Sequence, residues 1–274
     1  MPELPEIEVL RRSLEPHLVG RRILALRVRN RALREPVATA ELRRQTVGRR
    51  VTGLRRRAKF LLADLEGEST LVVHLGMSGR LTLAPLGAPA ELHEHLVFEL
   101  DSGQKLRFRD PRRFGLALAL PTARLEGDRH FRHLGIEPLN GAFDGPVLAA
   151  AARGRRGPVK SFLMDGRIVV GVGNIYATEA LFEAGLHPRR SVARIGAPRW
   201  TALAEAVRAV LERAIAEGGT TLNDFADGEG REGLFQVSLA VYDREGEPCL
   251  RCGSAVRRIV QAGRSTYYCP RCQR

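Results

Sequence analysis

Two pairs of cysteines carry the clearest chemistry in this sequence. Cys249-Leu250-Arg251-Cys252 and Cys269-Pro270-Arg271-Cys272 are C-x-x-C turns with sixteen residues between them, and the chain has no other cysteine. Each turn aims two thiolates at one metal ion, and four thiolates close a tetrahedral shell around zinc. A closed shell leaves no place for water, so one structural zinc is expected and not a catalytic one. Two disulfides are the alternative; in a cytoplasmic chain the spacing favours zinc. So short a ribbon has little core, and metal binding would supply its folding energy. Between the pairs, "VRRIVQAGRSTYY" reads as two strands around a Gly-Arg turn. Arg257, Arg258, Arg264 and Arg271 surround this finger. Arginines on a rigid hairpin suit phosphate contact, although they also suit a solvated face.

A second constellation is "VVGVGNIYATEALF", where Gly171, Gly173 and Asn174 precede a helical pattern. Asn174 reads as the N-cap, and glycines before a helix start expose backbone N–H groups to an anion. A dinucleotide fingerprint needs a third glycine where Tyr176 stands, and the chain has no phosphate-binding G-K-[ST] loop. The phosphate of a nucleic-acid backbone is the better ligand.

Charge points the same way. The chain has 274 residues and a formal net charge of +13. Its pI of about 10.7 is that of a protein that meets a polyanion. High genomic GC content accounts for arginine over lysine, not for the excess of base over acid. No apolar run is long enough to span a bilayer and no secretory leader is visible, so a cytoplasmic protein without a membrane partner is expected.

Elements must position these groups. Ile7, Leu10 and Leu14 fall at helical spacing, with Pro5 in the first turn and Pro16 ending or kinking the helix. There follow short β-like runs, "RRILALRVR", "KFLLADLEG", "STLVVHLGM", "GRLTLA", "LVFELDSGQKLRF" and "GLALAL", with a hairpin turn at Asp101–Gln104. Such spacing predicts an antiparallel sandwich or barrel. The pattern changes near residue 130, with a boundary at about 130–146, and from "VLAAAARG" onward it is helical, most clearly in "RWTALAEAVRAVLERAIAEGG", where Leu203, Val207, Val210, Leu211 and Ile215 form one face. The stretch 223–233 is polar and Gly-rich, as a mobile loop would be.

Seven segments then converge. "PELPE", "KFLL", "HLGMSG", "DPRRFG", "MDGRIVVGVGNIYATEALF", "GGTTLNDF" and "GRSTYYCPRCQ", in this order and across nearly the whole chain, resemble the bacterial formamidopyrimidine-DNA glycosylase family. The resemblance implies an α+β protein. Its parts would be an N-terminal antiparallel β-sandwich with a terminal helix at 1–132, a linker at 133–146, a helix–two-turn–helix domain at 147–241 and a zinc finger at 242–274. It implies a repair enzyme that excises oxidised purines from double-stranded DNA and then cuts the abasic strand, acting as a monomer. By the same resemblance Pro2 is the nucleophile, Glu3 the catalytic acid, Lys59 the essential hairpin lysine and Arg264 a phosphate ligand. Met77, Arg112 and Phe114 fill the gap in the DNA, with Arg113 beside them, and His74 and Asn174 contact phosphates. Lys160 and Glu6 stand near the lesion site. Ala58 is a departure, since glycine is common before the lysine. The loop at 223–235 varies in the family and gives no lesion preference.

The implied chemistry is self-consistent. Removal of Met1 before a small residue would leave Pro2 with a free secondary amine, of pKa about 7.7–8.0 and so substantially neutral at pH 7. Its attack on the sugar C1′ expels the base and forms an iminium, which acidifies C2′ for β- and then δ-elimination. Glu3 beside it can donate and accept the protons. Read alone, Met77 and Phe114 would be packed residues, Arg112 and Arg113 a solvated pair, and His74 a satisfied core histidine. Two rivals remain at this stage: an endonuclease VIII-like glycosylase for oxidised pyrimidines, and a non-catalytic zinc-finger DNA-binding protein.

Overall fold

The computed structural model describes residues 2–220 and 238–274. Met1 and the stretch expected to be a loop at 223–235 lie outside the described residues. The chain divides into two compact units, one of Met1–Arg132 with Glu217–Gln236, the other of His133–Ala216 with Val237–Arg274.

The first unit opens with helix α1 (Leu4–Leu18), whose Leu4, Ile7, Leu10, Leu14 and Leu18 are buried. The helix does not end at Pro16: the missing N–H removes a single bond close to the C-terminus, and the helix runs on to Leu18. Eight strands follow: β1 (Ile23–Val28), β2 (Val51–Arg57), β3 (Phe60–Leu65), β4 (Ser69–His74), β5 (Arg80–Pro85), β6 (Glu94–Leu100), β7 (Gln104–Arg109) and β8 (Leu116–Pro121). They form two four-stranded sheets, β1-β6-β7-β5 and β2-β3-β4-β8. Every pairing is antiparallel. One core joins them: Leu26, Leu81, Phe98 and Phe108 of the first sheet, Leu54, Leu61, Val73 and Ala117 of the second, and the apolar face of α1. This is the expected antiparallel sandwich with its terminal helix.

Two elements are absent from the sequence reading. Helix α2 (Thr39–Thr46) buries only Leu42, Gln45 and Thr46, too little apolar surface to register as a period. Strand β2 is broken by an irregularity between Val51 and Gly53, which places its buried Val51 and Leu54 three residues apart and hides the alternation.

The second unit contains α3 (Gly145–Ala152), α4 (Val159–Leu163), α5 (Asn174–Glu183), α6 (Ala197–Ala216) and a hairpin of β9 (Arg257–Gln261) with β10 (Arg264–Tyr268). The expected face of α6, Leu203, Val207, Val210, Leu211 and Ile215, is buried. Helix α5 is enclosed on all sides from Ile175 to Phe182. Phe182 at its end joins Val241, Val256 and Tyr267 in a small core around the finger.

Candidate active site and nucleic-acid interface

The amino-terminal residues are mounted on α1. Glu3 is the N-cap and Pro5 lies in the first turn, where its absent N–H costs nothing. The Glu3 N–H donates to Glu6 Oε2 at 2.7 Å, one half of a capping box. The other Glu6 oxygen accepts from the Thr220 N–H at 2.9 Å and its hydroxyl at 3.0 Å. Glu3 and Glu6 are 3% and 2% exposed, and Pro2 is buried with them. Both Glu6 oxygens thus brace protein, fixing the backbone of Glu3 and the residue just before 221–237. A Cβ on Gly219 would stand only 3.1 Å from Glu6 Oε1, so this packing is close.

Lys59 occupies the two-residue turn between β2 and β3, where Arg57 pairs with Phe60. Ala58, where the resemblance leads one to expect glycine, adopts a φ of 54°. The left-handed region costs a residue with a Cβ about 1–2 kcal/mol, which the surroundings must offset. Arg56 helps: its Nη1 donates to the Ala58 carbonyl at 3.0 Å, and its Nε lies 3.5 Å from Glu8 Oε2 on α1. The lysine turn and the helix behind Pro2 are therefore tied by one guanidinium. Burial pushes the Glu8 carboxyl up, but hydrogen bonds from Arg11 and Arg12 and the charge of Arg56 hold it below the usual range.

His74 ends β4. Its Nδ1 accepts the Gly76 N–H at 2.9 Å, and its ring meets Phe60 edge-on at 4.9 Å. Burial, then the charges of Arg34, Lys59 and His130, push its pKa down to about 4. The ring is neutral at pH 7, with Nδ1 as acceptor and Nε2–H as the remaining donor. It can offer a phosphate a hydrogen bond but no charge.

Topology brings Met77 to Arg112 and Phe114. Strands β4 and β8 are neighbours in one sheet, β5 and β7 in the other. The β4–β5 and β7–β8 connections therefore cross between the sheets side by side. Gly76 lets them touch: at φ 66° it faces the backbone of Phe114, and a Cβ there would lie 2.4 Å from the Phe114 carbonyl carbon. Buried Asp110 binds both loops, accepting from Ser78 Oγ at 2.8 Å and from the Gly115 N–H at 2.7 Å. Met77 and Phe114 are 36% and 46% exposed, not packed as either would be read alone. The Arg112 guanidinium lies 5.0 Å from the centre of the Phe114 ring. Arg113 is exposed at a φ of 58°. The result is an apolar and cationic prow on a rigid base, suited to entering a base stack.

In the second unit Asn174 is not the N-cap. Gly173 holds that position, and Asn174 is the first helical residue. Its side chain is drawn elsewhere: Oδ1 accepts from Lys160 Nζ at 2.6 Å, and Nδ2 donates to the Ser265 carbonyl at 3.0 Å. Lys160, 2% exposed, also donates to Thr266 Oγ1 at 2.7 Å. This network holds α4, the start of α5 and β10 together. Arg264, adjacent to Ser265, is exposed at the head of β10. It follows Ala262 and Gly263, both at positive φ (48° and 72°), which are the turn residues in place of the expected Gly-Arg pair.

The four cysteine sulfurs lie within 4.8 Å of one another. Cys249 Sγ to Cys272 Sγ is 3.9 Å and Cys252 Sγ to Cys269 Sγ is 3.4 Å. No pair is bonded as a disulfide. Tetrahedral zinc with bonds of about 2.3 Å separates its sulfurs by about 3.8 Å, so the cage fits. The four cysteines hold one structural zinc, which supplies a fixed base for β9 and β10 and no reactive position.

Several positioning residues escaped the sequence reading. Asp110, Ser78 and Arg56 are ordinary polar residues until the fold juxtaposes them. Glu179 of α5 is another. Its buried carboxylate accepts the N–H groups of Ala240, Val241 and Tyr242 at 2.8, 3.1 and 2.8 Å, fixing the turn that leads into the finger. The acid in "ATEALF" was the only signal, and a solvated helix face would give the same one.

Comparison with known proteins bears on this arrangement. Residues 1–117 match the formamidopyrimidine-DNA glycosylase N-terminal domain, 134–226 its H2TH domain, and 246–274 the zinc finger found in FPG and IleRS. Formamidopyrimidine-DNA glycosylase of Acidithiobacillus ferrooxidans is 51% identical, and that of Halorhodospira halophila 53%, each over 100% of both chains. A crystal structure of a Lactococcus lactis FPG mutant complexed with Fapy-dG-containing DNA superposes with a TM-score of 0.92 at 31% identity, covering 100% of both chains.

Proposed function

The chain belongs to the formamidopyrimidine-DNA glycosylase family, and from that premise we propose how its own residues carry out base excision. It is a base-excision repair DNA glycosylase with an associated abasic-site lyase activity, and its partner is duplex DNA with oxidised purines or abasic sites. It acts in the cytoplasm, at the nucleoid, as a monomer. Among the described residues no helix is long and apolar enough to cross a membrane.

Pro2, once Met1 is removed, is the nucleophile. Its nitrogen bonds to C1′ of the damaged nucleotide as the C1′–base bond breaks, and the departing base takes up the amine proton, which leaves the nitrogen with a lone pair. Glu3 donates a proton to the opening sugar oxygen, and the nitrogen lone pair completes an iminium. Loss of a C2′ proton to Glu3 expels the 3′ phosphate; a second elimination expels the 5′ phosphate. Lys59 and Arg264 bind backbone phosphates and so fix the sugar, with His74 and Asn174 as further phosphate donors. A base inside a duplex is out of reach, so the nucleotide is extruded, and Met77, Arg112 and Phe114 occupy the vacated stack. Lys160 and Glu6 act by holding other groups.

The observation that carries the reading is the buried Pro2-Glu3 pair held at the start of α1 by the Glu6 bracket. Borohydride trapping with an 8-oxoguanine:C duplex tests it. A covalent adduct is expected from processed protein and not from protein whose terminus is blocked; an undiminished adduct from the blocked form sinks the proposal. Faster cleavage of a thymine-glycol:A duplex would overturn the purine preference.

A further inference from the structure

Arg34 lies in the connection between β1 and α2, and the fold pins that connection at two points. The Arg34 N–H donates to the Gly115 carbonyl at 3.0 Å. The Glu35 carboxylate meets His130 Nε2 at 3.1 Å and also pairs with Arg129. Gly115 is itself pressed against the end of β4. A Cβ on it would lie 3.0 Å from the His74 carbonyl oxygen, and the next residue, Leu116, is the register partner of His74. His130 adds a second link, its ring 6.4 Å from that of Phe60, which in turn meets His74 edge-on. The connection is thereby held alongside His74.

The Arg34 side chain is exposed, and among the described residues no carboxylate pairs with it. The acids of the surrounding segments are engaged elsewhere. Glu35 serves His130 and Arg129, Asp128 meets His130 Nδ1 at 2.7 Å, and Asp110 serves Ser78 and the Gly115 N–H. The charge of Arg34 nevertheless reaches His74: after burial it is the largest cause of that ring's lowered pKa, ahead of Lys59 and His130. On the ring itself Nδ1 is taken by Gly76, and Nε2 has no partner among the described residues. A neutral imidazole donor therefore stands beside a cation. The first gives a phosphate oxygen a directed hydrogen bond, and the second gives it the charge that His74 lacks.

We infer that Arg34 and His74 together bind one backbone phosphate of the duplex, His74 through its Nε2–H and Arg34 through its guanidinium. The inference rests on the reading of His74 as a phosphate donor given above. It brings the connection between β1 and α2 into the DNA interface, beside the lysine turn and the prow.

The test compares wild type with Arg34→Gln, Arg34→Lys, His74→Ala and the Arg34→Gln, His74→Ala double variant, each first shown by thermal melting to be folded. Affinity for an abasic-analogue duplex is measured across a salt series. Arg34→Gln should bind several-fold more weakly, with a log K against log [salt] slope shallower by about 0.9, the loss of one phosphate contact. Arg34→Lys keeps the charge and should keep the slope; a slope lost with lysine as well would mean that the connection had shifted, and overturns the assignment. The double variant should lose less than the two single losses combined, because both residues serve one phosphate. Additive losses overturn the shared site. A single neutral methylphosphonate walked along both strands should, at one position, weaken wild type and leave Arg34→Gln nearly unaffected; no such position would also overturn it. If His74→Ala weakens binding while Arg34→Gln leaves the slope unchanged, this inference alone fails. If Arg34→Gln flattens the slope while His74→Ala binds as wild type does, the reading of His74 fails and the shared site with it.

Discussion

Lys160 Nζ donates to Asn174 Oδ1 at 2.6 Å, and that bond decides which way the Asn174 amide faces. With Oδ1 held by an ammonium, Nδ2 is turned to the Ser265 carbonyl beside Arg264. Lys160, which the resemblance places near the lesion site, is in the structure a buried brace for the Asn174 side chain. Lys160→Met should leave the Asn174 oxygen and Thr266 hydroxyl with one fewer partner and lower stability by about 1–3 kcal/mol. DNA affinity should fall as far as it does in Asn174→Ala. Combined, the two substitutions should cost little more than either alone, read from dissociation constants in a double-mutant cycle. Additive losses would show that Lys160 acts independently of Asn174.

Glu3→Gln keeps the N-cap position and removes the proton. Base removal should slow by about 10²–10⁴-fold, the usual share of general acid–base catalysis. Trapping on a preformed abasic site, where no base must leave, should be far less affected. The two rates, measured by single-turnover cleavage and borohydride capture, separate acid catalysis from nucleophilic attack. Equal losses on both substrates would mean that the substitution had damaged the mount of Pro2.

His74 makes stability depend on pH in a definite direction. Its folded pKa lies near 4, below the ordinary value of 6.5. Below pH 6.5 the unfolded chain binds a proton that the folded chain refuses, so stability falls as pH drops toward 4. Between pH 7 and pH 5 this contributes a loss of about 2 kcal/mol, at 1.36 kcal/mol per pH unit. His74→Gln should lose less stability over the same interval, as measured by urea unfolding at both pH values. Parallel losses in the two proteins would place the pH sensitivity elsewhere.

Removal of zinc should unfold the finger and not the sandwich, because the hairpin's own core is small: Val241, Val256, Tyr267 and Phe182 with two of the cysteines. Chelation should release one zinc per chain, and Cys269→Ser should mimic it. In both cases binding should weaken steeply while the far-ultraviolet signal of the strands persists. Full affinity after chelation would remove the finger from the interface.

Legibility in the sequence followed how local each signal is. The zinc cage was readable because two C-x-x-C turns are local and their chemistry is narrow. The strands β3 to β8 were readable as short apolar runs bounded by turn residues, and helix α6 because its buried face keeps a helical period. Strand β2 was lost to its irregularity near Gly53, and α2 to its single buried leucine. Asn174 was misplaced by one residue, since Lys160 and Ser265, 14 and 91 positions away, outbid the helix end for its side chain. Asp110 was invisible for the same reason: its partner Ser78 lies 32 residues distant. Pro2 and Glu3 took their meaning from the family resemblance, since the hexapeptide by itself specifies only a capped helix.

Gly76 offers the sharpest test of the prow. An alanine there would take a φ of 66° and set its Cβ 2.4 Å from the Phe114 carbonyl carbon and 2.6 Å from the Gly115 nitrogen. Both are backbone atoms and cannot rotate aside, so the two crossing loops must separate. Gly76→Ala should therefore lower stability by about 1–3 kcal/mol, from left-handed strain and displaced backbone together. Its larger effect should be functional. With Met77 and Phe114 moved apart, the variant should excise 8-oxoguanine from a duplex slowly. It should recover much of the wild-type rate when the damaged nucleotide lies opposite a gap, where no stack need be opened. Single-turnover rates on the two substrates give the comparison. An equal deficit on both would mean that the loop separation reaches Pro2 and Glu3, and the prow would lose its assignment as the element that holds the stack open.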